Sequence, residues 1–251
     1  RFIENKFIER DCNTFREILE KIYAEMRKSY RNEYFFKNEI VNKILLGRHN
    51  MNTATLLNEF RVNKSKVDLA ILNGITTAYE IKSEFDNFNR LSSQLEDYSK
   101  FFEKVFVVTA EANLGKIESK LPENVGLIIL TKKGTLATKK EASSNLRTLD
   151  HLVVLDALRQ KEYIGILESY FSKKLTIPNM ELYGYAKKMI VNIPQEDLNQ
   201  LLIKELKNRK IPAWKNEFIS SLPHCMKLLG IKNKVSKKHT TKIINQLKSA
   251  Y

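Results

Sequence analysis

Apolar residues recur at two different periods along the chain, and the changes of period divide it. Phe15, Ile18, Leu19, Ile22, Tyr23 and Met26 fall three or four apart, which predicts an amphipathic helix with Asn13 or Thr14 as its N-cap. A second helix is expected from Glu33 to Leu46, with Phe36, Ile40, Val41, Ile44 and Leu45 on its apolar face and Gly47 at its end. The period then shortens. Ala54 to Val62 suits a strand, and Lys66 to Leu72 with Ile75 to Ser83 suit two more, joined at Asn73-Gly74 as a β-hairpin, so a three-stranded meander is expected. Phe88 to Phe102 reads as a helix, Val105 to Thr109 as a buried strand, Leu114 to Leu121 as a helix and Val125 to Leu130 as another buried strand. Strands alternating with helices imply right-handed crossovers and parallel neighbours.

A polar segment, Thr131 to Asn145, separates this region from one that holds only helical patterns. Leu149 to Tyr170 is long and amphipathic, and Pro178, Pro194, Pro212 and Pro223 then punctuate shorter helical stretches, each at an expected boundary. Three parts follow: an N-terminal helical segment (1–30), an α/β core (31–142) and a basic helical domain (143–251).

Composition narrows the class. At 251 residues the chain exceeds the usual single-domain size, which suits a core with a large appendage. No apolar run approaches the roughly eighteen residues of a membrane span, so no membrane partner is expected. Cys12 and Cys225 lie far apart and neither belongs to a C-x-x-C pair, against both a disulfide framework and a structural zinc site. Without a secretory-signal pattern, a reducing, cytoplasmic setting is expected. Net charge is +14, and it is unevenly placed: residues 1–145 hold 24 Lys/Arg against 20 Asp/Glu, residues 146–251 hold 19 against 9. After Glu217 no acidic residue occurs, while seven lysines follow, among them Lys232, Lys234, Lys237 and Lys238. That asymmetry fits a polyanion partner whose backbone those lysines would contact; a solvated lysine-rich surface is the competing reading.

The chemistry gathers on the hairpin. Asp68 lies on one strand and Glu80-Ile81-Lys82 on the next, three charged groups inside otherwise apolar strands. Residues two apart share a face, so Glu80 and Lys82 project together. If Asp68 joins them, two carboxylates can hold a hard divalent cation and the amine can orient a water, an arrangement suited to phosphodiester hydrolysis. Register decides it. A strict two-residue Asn-Gly turn would set Asp68 opposite Tyr79, on the wrong face; convergence requires a three-residue loop, Asn73-Gly74-Ile75, or a bulge. Otherwise Asp68 pairs Lys66, and Glu80 and Lys82 form a salt bridge on a wet sheet face. Scattered histidines without H-E-x-x-H, and glycines without a P-loop pattern, argue against zinc hydrolysis and ATP binding.

Asp68, Glu80-Ile81-Lys82 and the element order around them resemble the PD-(D/E)xK nuclease superfamily, with Val67 in place of the motif's proline. Gln94-Leu95-Glu96-Asp97-Tyr98 matches the Q-x-x-x-Y element of its RecB-like branch, and the Glu-Ile-Lys-Ser-Glu-x-Asp run looks like a group of bacterial nucleases found among mobile elements. The resemblance covers roughly residues 31–131. It implies a restriction-endonuclease-like core, a mixed central sheet flanked by helices, followed by an all-helical C-terminal domain. It further implies Asp68, Glu80 and Lys82 as catalytic residues, with Mg²⁺ or Mn²⁺ held by Asp68, Glu80, the Ile81 carbonyl and Glu39. Glu59 competes with Glu39 for the supporting role. Arg90, Gln94 and Tyr98, at i, i+4 and i+8, would touch substrate. The expectation is therefore a metal-dependent nuclease acting on nucleic acid, DNA before RNA, alone or with a second copy or protein partner. Phage defence, mobile-element maintenance and repair are compatible roles. Two other classes remain: a catalytically inactive nuclease-fold module that binds nucleic acid, and a protein-interaction scaffold.

Overall fold

The hairpin loop is three residues long. In the computed structural model, which describes residues 12–49, 51–209 and 211–250, β2 (Ser65–Leu72) pairs antiparallel with β3 (Thr76–Lys82) in a register that sets Leu72 against Thr76 and Leu69 against Tyr79. Gly74, at φ +78°, supplies the left-handed residue this loop needs. The paired register ends at Leu69 and Tyr79, and beyond it the Asp68 carboxylate accepts the Ile81 N–H.

β1 (Thr55–Val62) pairs antiparallel with β2 across a tight turn at Asn63 and Lys64. β3, β4 (Lys104–Ala110) and β5 (Gly126–Leu130) are parallel, and β6 (Leu136–Lys140) returns antiparallel to close a six-stranded mixed sheet ordered β1 to β6. The strand β6 was hidden in the polar segment read as a connection. Thr138, Lys139 and Lys140 on a half-open edge carry no alternating apolar signal, and only Gly134, at φ +80°, marks the turn before it.

One irregularity breaks the ladder beside the hairpin. Asn58 pairs Leu69 and Phe60 pairs Val67, but Glu59, between them, has φ +52°, a left-handed conformation that a residue with a Cβ adopts at a cost. Leu57, Phe60 and Val62 consequently fall in one core layer although their parity differs. The kink lies opposite Asp68.

Helices cover both faces. α1 (Phe15–Ser29) starts at Thr14, whose hydroxyl accepts the Glu17 N–H in a capping box. The first eleven residues of the expected 1–30 segment lie outside the described residues. α2 (Glu33–Ile40) continues through a π-helical turn, Val41–Leu45, into a last turn at Leu46–Arg48. α3 (Leu91–Ser99) begins later and ends earlier than the pattern suggested. Beyond β6 the chain is all-helical, but the long helix expected over Leu149–Tyr170 is two: α4 (His151–Ala157), capped by Asp150, and α5 (Gln160–Phe171). Leu158 and Arg159 are extended between them, and the Glu162 carboxylate accepts the Arg159 N–H. α6 (Asn179–Ile190), α7 (Gln195–Lys207) and α8 (Ala213–Ser221) start after Pro178, Pro194 and Pro212 as expected; α9 (Lys227–Lys232) and α10 (Lys237–Lys248) complete the chain.

These helices divide between the faces. α4 to α7 pack through Leu155, Ile166, Ala186, Leu202 and Leu206 into the layer that holds α3, Val105, Val107 and Leu127. α8, α9 and α10 pack through Phe218, Ile219, Leu228, Ile231 and Leu247 into the opposite layer, with Phe35, Phe36 and Ile40 of α2 and Phe106 and Val108 of β4. In that second layer Gly126 leaves room for the Phe106 ring, which a Cβ would approach to 2.4 Å. Gly126→Ala is therefore expected to lower the melting temperature by several degrees; an unchanged melt would show that the ring can move aside.

Candidate functional site

At the open end of the hairpin the sheet and two helices bound a cleft of about 730 Å³. Asp68, Glu80, Ile81 and Lys82 line it from the strands, Arg90 and Gln94 from the start of α3, and Glu33 and Lys37 from α2. The three-residue loop brings the first four together. The kink at Glu59 turns that carboxylate into the same cleft.

Each catalytic candidate is held by a named partner. Lys82 donates from Nζ to Glu80 Oε1 at 2.8 Å and to Gln94 Oε1 at 3.0 Å. An ammonium has three N–H groups, so one remains for a ligand in the cleft. Glu80 is almost fully buried, and its second oxygen accepts from the Tyr98 hydroxyl at 2.9 Å. Asp68 Oδ2 accepts the Ile81 N–H at 2.8 Å, and its Oδ1 lies 3.3 Å from Lys37 Nζ. Lys37, buried on α2, also bridges Glu33 at 2.5 Å and Glu59 at 3.8 Å.

The helices are fixed where these contacts need them. Asp97 on α3 accepts from Asn63 and Ser65, at 2.7 and 2.6 Å, which ties the helix to the β1–β2 turn. Leu91, Leu95 and Tyr98 bury one side of α3 against the sheet and leave Gln94 over Lys82.

Electrostatics mark the two acids as a stressed pair. Burial, then the negative charge of Glu80, pushes the Asp68 carboxyl up to about 7, although Lys37 and the Ile81 N–H pull the other way. Burial also raises Glu80 above the ordinary carboxylate range, against the opposing effect of Lys82. Burial and the Glu80 charge raise the Tyr98 hydroxyl, which stays a donor. Glu59 goes the other way: hydrogen bonds from Lys232 and Lys66 hold it at about 2.

The sign of the Asp68 shift makes a testable slope. Its ordinary value is about 3.9, so between about pH 4 and 7 the folded protein holds a proton that the unfolded chain has released. The folded state binds more protons in that window, and stability falls as pH rises through it. Asp68→Asn removes the share of the slope that this carboxylate contributes, leaving that of Glu80. The variant is expected to melt higher than wild type at pH 8 without added metal and to match it near pH 4; an equal or lower melt at pH 8 would contradict the strain assigned to this carboxylate.

Not every expected residue is where the sequence pointed. Tyr98 is fully buried, so it orients Glu80 rather than touching substrate, and Gln94 orients Lys82 from the cleft wall. Arg90 is exposed at the cleft and free to meet an anion. Glu39, expected to support a metal, is a correction: it is fully buried away from the cleft lining, accepting from Tyr23 Oη and bonding His224 Nε2, each at 2.9 Å, with Lys43 at 3.3 Å. The helix that carries it turns Glu33 and Lys37 to the cleft instead. Their i, i+4 spacing was visible in the sequence, but its direction was not. Of the four tail lysines, Lys232 reaches the cleft rim, 3.2 Å from Glu59; Lys234, Lys237 and Lys238 are exposed.

Among the described residues no group of three or more His, Cys, Asp or Glu side chains is placed to hold a metal, and no helix is long and apolar enough to cross a membrane. Two acids with a main-chain neighbour are nonetheless a donor set of the right kind for Mg²⁺. That ion is ordinarily held by one or two carboxylates, with water and substrate phosphate completing its shell.

Comparison with known proteins gives a family by sequence. A family described as bacteriophage P4 protein cII matches residues 26–227. Protein cII of Enterobacteria phage P4 is 30% identical over 179 residues, covering 68% of this chain, and the match spans 65% of that relative's length. Among solved structures, a protein of unknown function from Silicibacter pomeroyi aligns with TM-score 0.36 and 16% identity, over 47% of this chain and 75% of its own. SfsA from Pyrococcus furiosus, in complex with Ca²⁺, aligns with TM-score 0.27 and 12% identity, over 49% and 64%. The matching family carries the phage protein's description and not that of the PD-(D/E)xK superfamily.

Proposed function

The chain belongs to the family of bacteriophage P4 protein cII, and for this member we propose metal-dependent hydrolysis of phosphodiester bonds in nucleic acid, DNA before RNA. One observation carries the reading: Asp68 and Glu80, on adjacent strands, line one cleft beside an amine that two acceptors hold in place. A structural salt bridge needs one acid. Here a second, half-buried, lies beside it, and both are raised above their ordinary values, as expected of groups kept for a cation.

Asp68, Glu80 and the Ile81 carbonyl would hold Mg²⁺ or Mn²⁺, which acts there as a Lewis acid toward a phosphate oxygen. The protein's own groups do the remaining work. Lys82, fixed by Glu80 and Gln94, turns its third N–H to the attacking water or the phosphate and offsets charge that grows as the bond breaks. Tyr98 keeps Glu80 from rotating. Arg90 binds a neighbouring phosphate, and the lysines around Lys232 hold the strand by counterion release, so affinity falls steeply with salt.

The direct test is cleavage of a labelled oligonucleotide with Mn²⁺ or Mg²⁺ and with EDTA, alongside melting of the protein at each metal concentration. Cleavage that EDTA abolishes is expected, together with stabilisation of roughly 2.7 kcal/mol at a hundred times the metal Kd. One feature favours a second reading. Both acids already have an ammonium partner, Lys37 for Asp68 and Lys82 for Glu80, so the cleft is charge-compensated as it stands. A nuclease-fold module that binds nucleic acid without cutting would show salt-sensitive binding, no turnover and no metal-dependent stabilisation.

A further inference from the structure

Beside the cleft two aromatic rings stand in water and touch each other. Tyr30 is 54% exposed and Phe85 64%, with ring centroids 5.3 Å apart and planes inclined at 37°. No other aromatic side chain among the described residues is more than half exposed. Other exposed apolar residues, such as Met180 and Leu229 on helices of the C-terminal region and Val191 just past the end of α6, are single surface residues of the ordinary kind.

The backbone beneath the rings is tightly bound, so their exposure is built in. Asp86 accepts both the N–H and the hydroxyl of buried Ser83, at 2.7 and 2.6 Å, and closes the turn that presents Phe85. Asn113 holds the Ser83 carbonyl at 2.9 Å. Arg31, next to Tyr30, is buried, donates to the carbonyls of Leu130 and Thr131 at 3.1 and 3.0 Å, and pairs with Glu84. One ion pair therefore fixes the two ring-bearing segments against each other.

Position gives the pair its use. Glu33, three residues after Tyr30, and Asp86, next to Phe85, both line the cleft, as does Arg90. Adjacent Cα atoms are about 3.8 Å apart, so Phe85 stands one residue and Tyr30 three residues along the chain from a cleft-lining position. Lys64 and Arg90 are the cleft-lining cations that a phosphate meets there, in a lining that also carries seven acids. A strand whose phosphate enters the cleft must set its bases somewhere. In a duplex the base faces are covered by their neighbours, whereas an unpaired base offers one to a ring.

On the reading of the cleft as a phosphodiester site, we infer that Tyr30 and Phe85 form a stacking platform for unpaired bases next to the bound phosphate. The protein consequently prefers single strands or open ends to continuous duplex.

The test is binding in EDTA, measured by anisotropy of a fluorescein-labelled oligodeoxynucleotide as a single strand, as a duplex, and as a strand with abasic sites. Phe85→Ala and Tyr30→Ala are each expected to weaken single-strand binding about 5- to 150-fold, with smaller losses on the duplex and the abasic strand. Phe85→Trp is expected to keep the affinity and to add a fluorescence signal that the single strand quenches and the duplex does not. Equal weakening on all three probes overturns the proposal. So does unchanged binding in the alanine variants, which would assign the pair to a protein partner. Because no step here requires turnover, a protein that never cuts can still show the platform, and one that cuts without base-dependent binding refutes the platform alone.

Discussion

Lys82→Ala is expected to reduce metal-dependent cleavage about 10²–10³-fold while the protein stays folded, the loss typical of removing one fixed donor from a site where charge develops. Lys82 is well suited to show this because its contacts separate its roles. It donates to Glu80 and Gln94, so its removal leaves the Glu80 carboxylate with only the neutral donors Tyr98 and Gln94, and the melting temperature falls as well. Lys82→Met keeps the length of the stem and tests whether that loss comes from packing. Asp68→Asn makes the complementary variant: it removes a proposed metal ligand while raising stability at neutral pH. Single-turnover cleavage measured alongside melting separates the two effects. If Asp68→Asn and Lys82→Ala both retain more than about a tenth of wild-type activity, the cleft is not where cleavage occurs, and any turnover belongs to another protein in the sample.

Glu39→Ala is expected to cost about 3–5 kcal/mol of stability, because it leaves Tyr23, His224 and Lys43 facing an emptied buried position. For a chain of this size that is a fall on the order of 10 °C in melting temperature. Its carboxyl is held below the usual range: burial opposes this, but the hydrogen bonds from His224 and Tyr23 and the nearby positive charges outweigh it. The sign follows. A depressed acid contributes stability above its unfolded value, and that contribution is lost as pH falls through the lower folded value, so the wild type loses its advantage over the variant in acid. Glu39→Gln keeps an acceptor for Tyr23 and is expected to lose less. Neither variant should change cleavage per folded molecule or metal-dependent stabilisation. If Glu39→Gln abolishes the metal response at full folding, Glu39 reaches the cleft after all.

What could be read from the residues was what local chemistry decides. The clash between Asn73-Gly74 and the face of Asp68 required an irregular hairpin, and the three-residue loop supplies it. Val105 to Thr109 and Val125 to Leu130 announced buried parallel strands because both their faces are covered. The prolines marked helix starts because each removes a backbone donor where a helix needs none. Long-range facts were not readable. Nothing local to Glu39 says that Tyr23 and His224, 16 and 185 residues away, surround it. Spacing placed Tyr98 on the stripe of Gln94 but could not say that its ring is sealed beneath the helix. The kink at Glu59 leaves no glycine or proline behind, so the residue that turns one more acid into the cleft carries no mark of doing so.

Both faces of the sheet are covered largely by helices that come after it in the chain, α4 to α7 on one and α8 to α10 on the other, the latter joining α2. On the ribosome the sheet is finished at Lys140 before α4 to α10 (residues 151–248) are made, roughly 5–20 s of synthesis at ordinary rates. Throughout that interval the nascent sheet shows apolar surface to water, and the cleft-bearing hairpin has no finished body to sit on. Fragments cut after β6 should therefore aggregate instead of forming a minimal folded unit, and cells making this protein would need chaperones most while these helices emerge.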